Sequence, residues 1–399
     1  MKQYAILGWA VLCFWMWAVL TPLGAADWPQ WRGPQRNGIS SETGWTSRWS
    51  AAGPRIVWRA QVGQGFSSVA VKGGRVYTMG NTNGRDTVYC LNATNGKVLW
   101  THSYACDAGG YPGPRATPTV DGDKVYTLSR EGHAFCLNAA TGQVIWSADL
   151  QRQTGAYPPR WGFAGSPLVE GNLVIYNVGT AGVALDKNSG KLVWKSGAGT
   201  AGYASPVAFN VGNQRGVAIF SAQALIAVNP TNGRVLWQHP WYTSYDVNAA
   251  DPIFAGEYVF ISSNYNRGGA LLKISGGRPQ VVWENRNMRN HFNSCVLVNG
   301  YLYGNDEGRL ACVEFRTGAE RWRQGGMGKG GLIAADGNLI CLTERGMLVI
   351  VKATPERYTE LASAQVLRGT CWTQPVLANG FIFCRSHEGE LVCVDVRGK

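Results

Sequence analysis

A turn glycine followed four residues later by a tryptophan recurs through this chain, and that fixed offset constrains the fold more than any other feature. Cys136-Leu137-Asn138-Ala139-Ala140-Thr141-Gly142-Gln143-Val144-Ile145-Trp146 reads as a strand, a tight turn at Thr-Gly and a second strand closed by a large aromatic. Cys90 to Trp100, Ala184 to Trp194, Ala227 to Trp237 and Cys312 to Trp322 repeat the pattern, with Gly96, Gly190, Gly233 and Gly318 at the turn. A supersecondary unit copied many times buries its apolar face against its own neighbours, so the chain is expected to form a repeat architecture.

From Phe66 a whole unit is legible. Ser67 to Val71 is a first strand, Arg75 to Met79 a second, Val88 to Asn92 a third and Val98 to Trp100 a fourth. Later units open at Thr117-Pro118, Ser166-Pro167, Ser205-Pro206, Asp251-Pro252, Ser294-Cys295, Gly331-Leu332 and Gln374-Pro375, which makes eight openings. Four short alternating strands per unit, at a period of about forty to fifty residues, is the pattern of a β-propeller blade. The closing aromatics are Trp58, Trp100, Trp146, Trp194, Trp237, Trp283, Trp322 and, in the seventh unit, Tyr358. The eighth unit ends at Leu391 to Asp395 without a fourth strand, while Arg55 to Arg59 is a strand with no first half. The expectation is an all-β, eight-bladed propeller whose N-terminal strand completes the last blade and leaves no open edge. Each indole is expected to pack on the neighbouring blade beside its turn glycine, burying up to ~150–250 Å².

The chain divides into three segments. Residues 1–26 carry one charge, Lys2, then an apolar run from Tyr4 to Leu20 and small residues at Gly24 to Ala26, the order of a signal peptide cleaved after Ala26. A retained anchor is the rival reading, against which Pro22 interrupts a run short for a span. Residues 27–52 are an N-terminal lead, too rich in Gly and Pro for a regular element, whose Trp28 and Trp31 need cover from the main body. Residues 53–399 are the propeller. The protein is expected to be exported, periplasmic or secreted, with no membrane span after removal of the leader, and to act as a monomer.

A net charge of +12 raises the question of nucleic acid, but the basic residues are scattered through turns with no run of five. Nucleic-acid binding is therefore not expected, since it needs a clustered stripe with interleaved aromatics. Ten cysteines include no CxxC pair and no His/Cys spacing suited to zinc, so no metal site is expected. Most share repeat positions, as buried apolar residues do. Cys384 and Cys393 flank the His387-Glu388-Gly389 turn and are the one pair placed to bridge across a hairpin. Asp306-Glu307-Gly308 could suggest calcium, yet Glu131-Gly132 and Glu388-Gly389 occupy the same hairpin position, which is ordinary turn chemistry.

The units resemble the pyrroloquinoline-quinone-like propeller repeat, whose signature is Ala-x-Asp-x-x-Thr-Gly-x-x-x-Trp. Leu137 to Trp146 and Leu185-Asp186-Lys187-Asn188-Ser189-Gly190-Lys191-Leu192-Val193-Trp194 match it well, and the resemblance spans Pro54 to Gly398. Asp27-Trp28-Pro29-Gln30-Trp31-Arg32-Gly33-Pro34 is similar to the opening of many exported bacterial propellers. The fifth blade departs, with Gly276-Gly277-Arg278-Pro279 in place of Thr-Gly, and the seventh has Tyr358 for Trp. The resemblance implies one of two classes. Quinoprotein dehydrogenases hold pyrroloquinoline quinone (PQQ) and calcium at the propeller centre, with an Asp base and often a vicinal Cys-Cys disulfide. Scaffold propellers such as the outer-membrane assembly factor BamB bind protein and no cofactor. This sequence has no adjacent Cys-Cys pair and lacks the insertions that cover the quinone, so a non-catalytic scaffold is expected, with a PQQ- and calcium-dependent alcohol or sugar dehydrogenase as the alternative.

Candidate binding residues lie in the loops before each first strand, which converge at one mouth of the axis. Arg115, Arg160, Trp161, Tyr203, Asp246, Asn248, Asp251, His291, Asn293, Lys329 and Trp372 differ from blade to blade, so the repeat does not dictate them. A basic rim with aromatic walls suits a protein partner or a small anionic or glycan ligand of the cell envelope. No Ser-His-Asp order stands out, and no catalytic residue is assigned.

Overall fold

A computed structural model describes residues 26–50 and 52–398, so the leader expected over 1–26 lies outside the described residues except for Ala26. The repeats fold as eight sheets, seven of four strands and one of five. Blades 1 to 8 begin at the inner strands Ala70–Lys72, Thr119–Asp121, Leu168–Glu170, Val207–Val211, Ile253–Ala255, Val296–Val298, Gly331–Ala335 and Val376–Ala378. Blade 8 takes its outer strand from the start of the propeller. Arg55–Gln61 pairs antiparallel with Glu390–Asp395, with Trp58 opposite Cys393. The ring closes as the sequence predicts.

Local chemistry explains why each blade ends alike. Asn92, Asn138 and Asp186 accept backbone N–H groups from two and three residues ahead, which folds the chain into a tight turn. A bulge just before the tryptophan then re-aims its side chain toward the next blade. Trp58 Nε1 donates to Ala93 O at 2.9 Å, Trp100 to Ala139 O at 3.0 Å, and Trp194 to Pro230 O at 2.7 Å. Gly96 shows why the turn requires glycine: its φ is +70°, and a Cβ there would lie 2.7 Å from the Trp58 ring. The core is correspondingly divided among the seams, as where Trp146 packs with Tyr126, Tyr176 and Leu185 between blades 2 and 3.

Two seams depart from this rule. Blade 5 presents Gly276-Gly277, where a Cβ on either residue would meet nothing within 4 Å, and among the described residues the buried Nε1 of Trp237 finds no partner. In blade 7 the expected aromatic is misplaced. The bulge falls between Ile350 and Val351, opposite Ala362 and Glu360, so the tryptophan position is held by Ala362. Tyr358 sits earlier, in the turn, edge-on to Trp322 at 5.9 Å. The lead fills the gap. Trp45 and Trp49 join the apolar cluster of Ala362 and Phe381, and Thr46 N–H donates to Val396 O at 2.6 Å, the carbonyl an indole would otherwise take.

The lead does more than cover the ring: it threads the axial channel and touches all eight blades. Trp28 bonds Val71 of blade 1, Pro29 O accepts from Val120 of blade 2, and Arg36 reaches Pro167 O of blade 3 and Pro206 O of blade 4. Trp31 and Arg32 meet Asp251 and Cys295 at blades 5 and 6. Ile39–Ser40 adds a parallel strand to blade 7, and Glu42 accepts Asn379 and Gly380 N–H of blade 8. Stretches of Gly and Pro carry no period, which is why sequence reading could not place this segment inside the ring.

The disulfide weighed above does not form. Cys384 opposes Val392 and Cys393 opposes Phe383, so the two thiols lie one residue out of register and point to opposite faces. All nine cysteines among the described residues are free and buried.

Candidate functional site

At the channel's inner end, from blade 1 to blade 6, the residue that opens a blade links it to the one before. Ser68 N–H donates to Thr117 Oγ1, Thr117 N–H to Ser166 Oγ, Ser166 N–H to Ser205 Oγ, Ser205 N–H to Asp251 Oδ1 and Asp251 N–H to Ser294 Oγ, at 2.8 to 3.0 Å. Asp251 therefore holds a slot that a hydroxyl fills in neighbouring blades. Its second oxygen accepts Trp31 Nε1 at 2.6 Å and faces Arg32 Nε at 3.8 Å. Burial pushes the Asp251 carboxyl up and the Arg32 guanidinium down, each opposed by the other's charge. The lead and the ring are locked by this buried ion pair.

Above that floor the loops preceding the first strands enclose a cavity of about 190 Å³. Of the eleven residues expected at the mouth, eight line it: Arg115, Trp161, Tyr203, Asp251, His291, Asn293, Lys329 and Trp372. Three do not. Arg160 lies outside, its guanidinium over the rings of Trp161 and Tyr245 at 5.2 and 5.8 Å. Asp246 closes the short 3-10 turn Ser244–Asp246 in a left-handed conformation and is not part of the lining. Asn248 is buried structure: its Nδ2 donates to Ser221 O and Ala222 O at 2.9 Å, and its Oδ1 accepts Ser263 Oγ at 2.8 Å.

Sequence reading missed Trp31, Phe66, Tyr111, Tyr265 and Phe292, which also line the cavity. Trp31 comes from the lead, whose path had no sequence signal. Phe66 and Phe292 sit beside residues already singled out and look like ordinary strand-edge aromatics. The walls are continuous aromatic surface. Phe66 stacks on Trp372 at 5.5 Å and on His387 at 4.4 Å, and Phe292 stacks on His291 at 3.8 Å. Trp372 is fixed by donating Nε1 to Glu344 Oε1 at 2.7 Å. Burial, with Lys329 adding to it, lowers His291 from 6.5 to about 4, so the ring is neutral at physiological pH and shares a 3.2 Å hydrogen bond with Tyr265.

Among the described residues, neither cation lining the cavity has an acidic partner. Lys329 Nζ lies 4.8 Å from the Trp372 ring and 5.4 Å from Phe292. Arg115 donates to Gly113 O and Tyr111 O at 2.7 and 3.0 Å and covers Phe66, so it is a half-buried brace rather than the exposed rim charge the sequence suggested. Asp251 is the one acid lining the cavity among the described residues, and Arg32 neutralises it.

Calcium takes six to eight oxygen ligands. Both Asp251 oxygens are already engaged, and no other carboxylate lines the cavity among the described residues. The residues present do not fit a calcium ion. Asp306, the other calcium hint, is taken by Arg289 at 2.7 Å and Arg323 at 3.3 Å.

Comparison with known proteins places the fold. The chain superposes on the crystal structure of BamB from Moraxella catarrhalis with a TM-score of 0.67 at 16% identity, covering 86% of this chain and 100% of that one. It also superposes on quinohemoprotein alcohol dehydrogenase from Comamonas testosteroni with a TM-score of 0.69 at 13% identity, covering 94% and 81%. A europium-containing methanol dehydrogenase gives 0.66 at 14% identity, covering 92% and 89%. No curated protein matches the sequence. The sequence profile described as outer membrane protein assembly factor BamB matches residues 40–112 and 84–324, most of the chain, which therefore belongs to that family of PQQ-like propellers.

Proposed function

We propose that this chain is an exported, non-catalytic propeller of the cell envelope, acting as a monomer, that holds its partner at the axial cavity. The partner presents an acidic group beside a flat or apolar one, on a peptide segment or on a small molecule such as an acid-bearing glycan. The observation that carries this is the charge arrangement: among the described residues, Lys329 faces the cavity between two aromatic rings without a carboxylate within salt-bridge reach, while the single lining acid is neutralised from below. The family description, an outer-membrane assembly factor, supports a protein partner in the envelope. No helix among the described residues is long and apolar enough to cross a membrane.

The test is a tryptophan-fluorescence titration with a synthetic peptide of alternating Glu and Phe, beside its Lys/Phe and Glu/Ser counterparts. The acidic aromatic peptide should bind, and Lys329→Ala should weaken it about tenfold, ~1.4 kcal/mol. Equal binding of the acidic and basic peptides would overturn the reading. The second reading, a PQQ- and calcium-dependent alcohol or sugar dehydrogenase, is favoured by the dehydrogenase-like fold and the aromatic walls. It is opposed by the occupied oxygens of Asp251. Saturable binding of the quinone with calcium, accompanied by dye-linked alcohol oxidation, would establish it instead.

A further inference from the structure

A second cluster of chemically distinctive side chains lies between blades 1 and 2, outside the cavity. Cys106 follows the outer strand Val98–Ala105 of blade 1, and Glu131 and His133 sit at the hairpin that opens the blade 2 strand His133–Asn138. The Cys106 thiol, a Glu131 carboxylate oxygen and a His133 ring nitrogen lie within 4.8 Å of one another. The edges of a zinc tetrahedron are about 3.3–3.8 Å for bonds of about 2.0–2.3 Å, so side-chain rotation alone would close this triangle.

Neighbouring side chains also favour a cation here. Asp86 is fully buried beside Cys106, and Asn81 Nδ2 bridges the two, donating to Asp86 Oδ1 at 2.7 Å and to Cys106 O at 3.1 Å. Among the described residues the other Asp86 oxygen is buried without an N–H or O–H partner, the carboxylate meeting only the Cys106 thiol besides Asn81, and Nδ1 of His133 is buried without a partner. A buried carboxylate with one oxygen unpaired is costly unless a cation or proton answers it. Neither Asp86 nor Glu131 is in an ion pair among the described residues; Arg130 is nearby but gives its guanidinium to Asp107 O at 3.4 Å.

We propose that Cys106, Glu131 and His133 bind a zinc ion, with a water molecule completing the tetrahedron. Thiolate, imidazole and carboxylate together suit zinc better than a hard cation that takes only oxygen. On binding, the Cys106 S–H bond breaks, its proton passes to solvent and the sulfur pair forms the bond to zinc; no electron is transferred. The site has a structural consequence. The loop that leaves Cys106 carries Tyr111 and Arg115 into the axial cavity, and at present only hydrogen bonds such as Asp107 N–H to Glu131 Oε2 hold its start. Zinc would clamp that loop to blade 2.

The experiment is a zinc titration of the full chain against a chromophoric chelator, repeated with cobalt to read thiolate-to-metal charge transfer. One equivalent should bind at micromolar affinity or tighter, with the charge-transfer band present. Cys106→Ser should abolish the band, and His133→Gln should weaken binding at least tenfold. Cys384→Ser, a buried thiol elsewhere, should change neither. Should Cys106→Ser fail to fold, the half-exposed His133→Gln and Glu131→Gln decide the matter alone. Stoichiometric binding that survives His133→Gln unchanged, or no binding above that of the variants, overturns the site.

Discussion

Asp251 is the carboxylate in an arc of hydroxyls, and that exchange decides what one residue does for the whole channel. A serine there would keep the inner seam but leave Arg32 buried without an anion. Asp251→Asn should accordingly cost about 3–5 kcal/mol in urea unfolding, the penalty for breaking one side of a buried pair. Arg32→Met added to it should recover part of that loss, whereas additive losses would mean the two do not interact. His291 allows a pH test. Its folded pKa is lowered from 6.5 to about 4, so its contribution to stability is complete above about 6.5 and is lost as pH falls toward 4. The thermal midpoint should drop through that window, and less steeply in His291→Gln; parallel slopes would show that His291 is not held neutral. Most mouth residues were legible because the repeat did not require them. Asn248 was misread for the same reason: a side chain that satisfies an irregular loop varies between blades just as a binding residue does.

At the scale of the element, the turn and its tryptophan were legible because their spacing is set by backbone geometry: a bulge, a left-handed glycine and an indole that needs an acceptor. Tyr358 misled because it sits near the right distance along the chain, while position relative to the bulge is what matters, and that belongs to Ala362. The seams also differ in energy. Trp194 Nε1 donates to Pro230 O, whereas Trp237 Nε1 is buried without an acceptor. Trp194→Phe should therefore cost about 0.5–1.5 kcal/mol more than Trp237→Phe, the net value of one hydrogen bond. Denaturant midpoints of the two variants measure it directly, and equal losses would place an unseen acceptor at the blade 5 seam.

For the molecule as a whole, two separate devices close the ring. The clasp of Arg55–Gln61 on Glu390–Asp395 seals the outer edge and was legible, since a strand without a blade and a blade without a strand can only be joined. The lead, threaded through the channel to all eight blades, was not, because irregular Gly- and Pro-rich chain has no period to read. These devices have distinguishable consequences. Trp58→Ala should remove about 3–5 kcal/mol, the range for truncating a buried tryptophan, but leave the axial cavity intact. Deleting residues 27–42 leaves the clasp in place while removing Trp31 from the cavity floor and Arg32 from Asp251, which then faces the cavity as an uncompensated anion. That charge would repel the acidic ligand that Lys329 attracts. The deletion should therefore weaken acidic-peptide binding by about tenfold or more, while Trp58→Ala weakens it little at temperatures where the ring is folded. Fluorescence titration of both variants separates the two effects. Unchanged affinity in the deletion variant would mean that the ligand never reaches the floor, and that the outer aromatic rim alone does the binding.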